Sequence, residues 1–194
     1  MGLTRVNNQA LTDVTAAGLP TITNDQLPTL DGDKLPAGTV LQVKSTTGTG
    51  VVSYNNTSWN TITSLSITPK STSSKILVIS TITYGGGPNR DGWTGYLARM
   101  LRGSTTIAKG TTTSGNQTSE STYGGLHNKV YHRTEPHTQQ FLDSPSTTSE
   151  VTYSMQVAKT TYVNQTIQFN YPSNRSDQYT GSGVTTLTIM EIAG

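Results

Sequence analysis

Apolar side chains return at every second position through long stretches of this chain, and threonine and serine fill most of the places between them. The run Val184-Thr185-Thr186-Leu187-Thr188-Ile189-Met190-Glu191-Ile192 shows the pattern. A period of two belongs to a strand whose two sides meet different surroundings. Threonine and the other β-branched residues fit a pleated, half-buried surface and make poor helices. The expected fold class is therefore all-β, with many hydroxyls turned to water.

The strand signals begin at Val40. Val40 to Val43 is a short strand. Val51 to Tyr54, an Asn55-Asn56 turn and Thr57 to Thr68 have the form of a hairpin, with Trp59, Leu65 and Ile67 on one face by parity. Lys75 to Tyr84 contains the continuous apolar run Ile76-Leu77-Val78-Ile79, expected of a strand buried on both faces. Tyr96 to Leu101 has helical propensity, but the Arg102-Gly103-Ser104 turn and the short run around Ile107 favour a hairpin. Further strands are expected at 126–132, 138–142, 151–158 and 167–169, with Val151, Tyr153, Met155 and Val157 sharing a face. Eight to ten short strands separated by turns describe an antiparallel β-sandwich or jelly roll over residues 40–194.

Residues 1–39 differ. Leu19-Pro20, Leu27-Pro28 and Leu35-Pro36 recur with a period of eight. Proline fixes its own φ and pushes the residue before it toward extended geometry. Leu19, Leu27 and Leu35 then project at intervals from an extended arm, which from Ala17 to Val40 would reach on the order of 80 Å at ~3.3 Å per residue. One such strand cannot bury its leucines; three around a common axis can. The plainer alternative is a linker whose spacing is coincidental.

Composition narrows the functions. Only 31% of the residues are hydrophobic and 12% charged, so the chain is polar without being a polyelectrolyte. A core this lean is often completed by copies of the same chain. A net charge of +2 with scattered lysines and arginines gives no nucleic-acid footprint. No segment has the ~20 apolar residues of a membrane-spanning helix, and the absence of cysteine excludes disulfides and thiolate metal sites. Residues 1–10 lack the apolar core of a signal peptide. Cytoplasmic synthesis and a hydroxyl-rich surface suited to the cell exterior are both satisfied by a protein of a virus particle.

The residues that carry chemistry are few. His127, His132 and His137 are spaced by five, which alternates faces on a strand and matches no helical turn, so no metal site is expected within one chain. No carboxylate pair is evident; Asp143, beside Ser144 and Pro145, is expected to cap backbone N–H groups in a turn. No Gly-x-Ser-x-Gly elbow or phosphate loop is present, and neither catalysis nor a cofactor is expected. Aromatics beside glycine, asparagine and serine are more suggestive, because such rings offer a broad face with a polar rim to a sugar. Trp93, Tyr123 and Tyr96 are the candidates for receptor contact, and Trp59 is assigned to packing.

Four stretches give the chain a likeness to a known group. Leu3-Thr4-Arg5-Val6-Asn7-Asn8-Gln9-Ala10-Leu11 with the leucine-proline repeats, Leu35-Pro36-Ala37-Gly38-Thr39-Val40-Leu41-Gln42-Val43, Ser73-Ser74-Lys75-Ile76-Leu77-Val78 and Leu187-Thr188-Ile189-Met190-Glu191-Ile192 resemble small fibre or appendage proteins of tailed bacteriophages, marine phages in particular. The resemblance implies a virion protein that forms a homotrimer. Residues 1–39 would serve as an arm or stalk docked on other virion proteins, and 40–194 would form a β-sandwich knob that meets host-surface glycans. A capsid decoration or head fibre is the alternative, and a glycan-degrading tailspike a more distant one.

Overall fold

Hydroxyl-rich alternation produces eleven strands among the described residues of the computed structural model, which are 35–86, 93–110, 123–128, 134–161, 166–171 and 181–194. They are β1 (Val40–Gly48), β2 (Val52–Tyr54), β3 (Asn60–Ile67), β4 (Lys75–Gly86), β5 (Trp93–Arg102), β6 (Thr105–Ile107), β7 (Tyr123–Asn128), β8 (Glu135–Asp143), β9 (Val151–Lys159), β10 (Ile167–Phe169) and β11 (Thr185–Ile192). No helix occurs among the described residues, and every ladder is antiparallel.

Two sheets result. In the first, the long β4 pairs along one edge with β8 and along the other with β11 and then β10; β1 lies outside β11 and β2 outside β10. In the second, β5 pairs along one edge with β9 and along the other with β7 and β6, and β3 lies outside β9. The shared core draws Ile76, Val78, Tyr84, Leu187, Ile189 and Phe169 from the first sheet and Ile67, Tyr96, Met100, Tyr153, Met155 and Val157 from the second. At one part of this core the rings of Tyr84, Tyr96 and Phe169 meet, with centroids 4.6 to 5.7 Å apart and the Tyr96–Phe169 pair edge-on. That geometry suits the aromatic quadrupole.

Several expectations are corrected. Val51 to Thr68 is not a hairpin: β2 joins the first sheet through β10, and β3 joins the second through β9. The Asn56 turn is a crossing between sheets, with the Asn56 side chain accepting from Ser58 N–H and Asn60 Nδ2, and its carbonyl from Lys159 N–H. Trp59 does not share a face with Leu65 and Ile67. A bulge between Thr61 and Thr63 inserts one residue and inverts the parity, so Ile62, Leu65 and Ile67 pack on the core while Trp59 lies under Arg99. β4 is not buried on both faces either: Ile76, Val78, Ser80 and Ile82 are buried, whereas Leu77, Ile79 and Thr81 on the outer face are half-buried. Tyr96 to Leu101 is strand, its helical propensity overridden by pairing on both edges. Pro136 does not interrupt β8, because the strand lies at a sheet edge where a missing N–H costs no ladder bond.

The folded part also begins before Val40. Pro36 to Thr39 form a turn in which Thr39 N–H donates to the Pro36 carbonyl, with Gly38 at φ 90°, the left-handed third position of a type II turn. Gly38 N–H donates to the Ala193 carbonyl and Ala193 N–H to the Thr39 carbonyl, each at 2.8 Å. Leu35 is half-buried at the start of the described residues. The remainder of the expected arm, including Leu19 and Leu27, lies outside them.

Candidate functional site

Strand register builds two unlike outer faces. On the first sheet, Val43 pairs with Met190, Met190 with Leu77 and Leu77 with Leu142, so one row of four apolar side chains crosses β1, β11, β4 and β8. Alternation on each strand turns this row away from the core, whose members are the neighbours Ile76, Val78 and Ile189. Val43 is 54% and Leu142 48% exposed, with Leu77 and Met190 half-buried between them. The next rows are Ser45-Thr188-Ile79-Gln140 and Thr47-Thr186-Thr81-Thr138, in which hydroxyls pair directly: Ser45 with Thr188 at 2.9 Å and Thr81 with Thr138 at 2.8 Å. None of these twelve residues carries a charge. On the other side of the apolar row lie Val40, Ile192 and the exposed Lys75; a contiguous exposed apolar row of this kind is a candidate interaction surface.

The outer face of the second sheet carries a polar row, with Leu97 and Ala158 on one side of it and Leu101 on the other. Thr61, Gln156 and Arg99 stand in register across β3, β9 and β5. Arg99 Nε donates to Gln156 Oε1 at 2.9 Å, Gln156 Nε2 donates to Thr61 Oγ1 at 3.2 Å, and the Arg99 guanidinium sits 4.3 Å from the centre of the Trp59 ring. That stacking is worth about 0.5–1 kcal/mol at a partly exposed position. Nearby, Ser66 and Thr152 join by their hydroxyls at 2.8 Å.

Between the sheets, two carboxylates flank Ile76 in one inward-facing row: Glu191 on β11 and Asp143 on β8. Asp143 is 6% exposed. Both its oxygens accept from Arg102 Nη1 at 3.0 Å, and Oδ2 accepts from the Tyr153 hydroxyl at 2.7 Å. Burial, then the Asp143 hydrogen bond and charge, push the Tyr153 hydroxyl far above its ordinary pKa, so it stays a donor. Asp143 is therefore a brace between β8, β5 and β9, not the turn cap expected from its neighbours. Glu191 is fully buried and accepts from Gln42 Nε2 at 2.6 Å, Ser74 Oγ at 2.7 Å and Lys70 N–H at 2.6 Å. Burial raises its pKa, but the bonds from Gln42, Ser74 and Lys70 outweigh burial and hold it below the usual value. Both acids are enclosed and hydrogen-bonded within the fold.

Of the three receptor-contact candidates, Tyr96 is displaced. Its ring is fully buried, stacks on His137 and hydrogen-bonds through its hydroxyl to His137 Nδ1. A ring enclosed on all sides meets no receptor, so the surface role expected of Tyr96 does not hold. Trp93 and Tyr123 pair with Asn128 and Ala98 respectively, at opposite ends of the β5–β7 ladder. Their side chains lie outside the described residues. Of the histidines, His127 lies on β7 and His137 on β8, in different sheets, while His132 falls outside the described residues. Among the described residues no group of three potential ligands assembles that would hold a metal ion.

Sequence reasoning missed one polar centre altogether. Asn170, buried and left-handed at φ 63°, donates from Nδ2 to the carbonyls of Gly48 and Gly50 and accepts at Oδ1 from the Thr185 hydroxyl. Its N–H donates to the Thr83 carbonyl and its carbonyl accepts from Gly183 N–H. Asparagine is one of the few residues that tolerates this conformation, and the only signal was its place at the end of a short apolar run. In comparison with known proteins, no protein-family model matches the chain and no curated protein matches it.

Proposed function

We propose that this chain is a structural protein of a virus particle, a homotrimeric tail fibre or appendage of a tailed bacteriophage that contributes to attachment on host-surface glycans. In this reading residues 40–194, with the preceding Pro36–Thr39 turn, form a jelly-roll-like knob, and the leucine-proline segment joins it to other virion proteins.

The observation that carries the self-associating part is the row Val43-Met190-Leu77-Leu142 on the outer face of the first sheet. Two of its members are about half exposed; one flank is the uncharged row Ser45-Thr188-Ile79-Gln140, and the other is Val40, Ile192 and the exposed Lys75. Completing the burial of a half-exposed valine or leucine contributes about 1 kcal/mol per side chain, and each copy in a ring repeats the gain. The phage assignment rests on the resemblance of the four sequence stretches. Light scattering on the eluting peak of a size-exclusion column is expected to give three times the chain mass; a single chain mass at micromolar concentration removes the fibre reading. Location on the particle, by labelled antibody, distinguishes tail from head.

A further inference from the structure

The loop from β8 to β9 crosses from one sheet to the other, and with the β5–β6 turn it encloses an open depression of about 390 Å³. Arg102 and Gly103 line it from β5 and the turn, Pro145, Thr147 and Glu150 from the loop, and Thr152 from β9. The volume falls within the roughly 300–1,000 Å³ of small-molecule sites.

Arg102 is held in place from one edge only. Its Nη1 is committed to both oxygens of Asp143 and, at 3.3 Å, to the Ser144 carbonyl. Asp143 is itself fixed by the Tyr153 hydroxyl. The Arg102 side chain remains one-third exposed, and its Nε and Nη2 have no acceptor among the described residues. A planar guanidinium fixed along one edge presents its other N–H groups in a set geometry. Glu150, exposed on the loop, supplies a carboxylate to the same depression. Thr147 adds a hydroxyl whose oxygen already accepts from Ser149 N–H at 3.0 Å, so its own proton is available to donate.

The charges that line or back the depression are Arg102, Asp143 and Glu150, one positive and two negative. This balance disfavours an anion. A fixed donor, a carboxylate acceptor and a hydroxyl together suit a ligand whose groups both donate and accept. We infer that the Arg102–Glu150 depression binds a neutral sugar, with one hydroxyl oxygen accepting from the Arg102 guanidinium and a second hydroxyl donating to Glu150. The site is separate from the aromatic candidates Trp93 and Tyr123. It deepens the attachment reading, on which its biological role rests, but its geometry stands without it.

The test is ligand-observed saturation-transfer NMR on the full chain, with glucose, galactose, mannose and N-acetylglucosamine offered in turn at millimolar excess. At least one sugar is expected to receive saturation, and Glu150→Ala and Arg102→Lys are each expected to weaken its binding about tenfold, the loss of one charge-assisted hydrogen bond. Glu150 has no hydrogen-bond or ion-pair partner among the described residues, so its variant decides the matter if Arg102→Lys melts early. No transfer to any of the four sugars, unchanged binding in Glu150→Ala, or displacement of the sugar by acetate or phosphate overturns the site. A trimer that binds none of the sugars sinks this inference alone; a sugar-binding single chain sinks the fibre reading alone.

Discussion

The outer faces of the two sheets are made by the same alternation of residues, yet their central rows are chemically opposite. On the first sheet the outward row at Leu77 is apolar across four strands, with Ser45, Thr188, Ile79 and Gln140 on one side of it and Val40, Ile192 and Lys75 on the other. On the second, the outward row at Gln156 is a chain of hydrogen bonds ending in a guanidinium on a tryptophan. A polar row whose groups satisfy one another has little to gain from a partner, because any partner must first displace bonds already made. An apolar row gains wherever it is covered. In the proposed trimer the contrast gives self-association to the first sheet's apolar row, while the second sheet's hydrogen-bonded row is already finished.

The contrast breaks most visibly at its apolar side. Val43→Lys combined with Leu142→Lys places two charges at exposed positions, so the fold survives while the assembly is expected to fall to one chain mass by light scattering. The matched pair Ser64→Lys and Ser154→Lys on the second sheet is expected to leave the assembly intact; if it dissociates the particle equally, the assignment of faces is wrong. Next in size, Asp143→Ala leaves the buried Tyr153 hydroxyl and the partly exposed Arg102 guanidinium without their shared acceptor, and urea unfolding is expected to show a loss of about 2 kcal/mol. A loss below about 1 kcal/mol would mean that the brace does not join the sheets.

The effect of pH comes third. The Glu191 carboxyl is held below its ordinary value by Gln42, Ser74 and Lys70 N–H. A depressed folded-state pKa contributes stability that is complete above the unfolded value, 4.5, and is lost as the pH falls through the folded value. Wild type is therefore expected to lose melting temperature below pH 4.5 more steeply than Glu191→Gln, and parallel curves would remove Glu191 as the cause. The smallest effect is Trp59→Leu, which ends the stacking under Arg99 and is expected to cost about 0.5–1 kcal/mol by urea melt with no change in assembly. A change in oligomer mass would show that the second sheet's outer face is not finished after all.

How far the sequence carried these distinctions depended on whether they were local. The period of two located β9 and β11 and placed Val151, Tyr153, Met155 and Val157 on the core face, because each strand's alternation is set by its own residues. It failed for Trp59, where one extra residue at the Thr61–Thr63 bulge inverted the parity. It failed for the expected hairpin because loop composition signals a turn, not which sheet the chain enters afterwards. Tyr96 and Asp143 were misplaced for a related reason. Glycine or proline beside a residue suggests exposure, but burial is decided by partners far away in sequence, His137 and Phe169 for the tyrosine and Arg102 and Tyr153 for the acid. The apolar row was legible strand by strand, as Val43, Leu77, Leu142 and Met190, but not as a row, since register is a property of pairs.

Pairing Val40 with Ile192 has a kinetic consequence. Among the described residues β1 pairs with no strand nearby in sequence, and its one ladder waits for β11, which must also find β4. Closing such distant loops is paid in chain entropy before any contact rewards it, which places folding in the millisecond-to-second range typical of non-local β proteins. Until β11 docks, one side of β1 is a bare row of amide and carbonyl groups beside identical chains that carry the same exposed edge. Folding speed and protein concentration thus compete, and slow dilution during refolding favours the native sheet over strand exchange between copies.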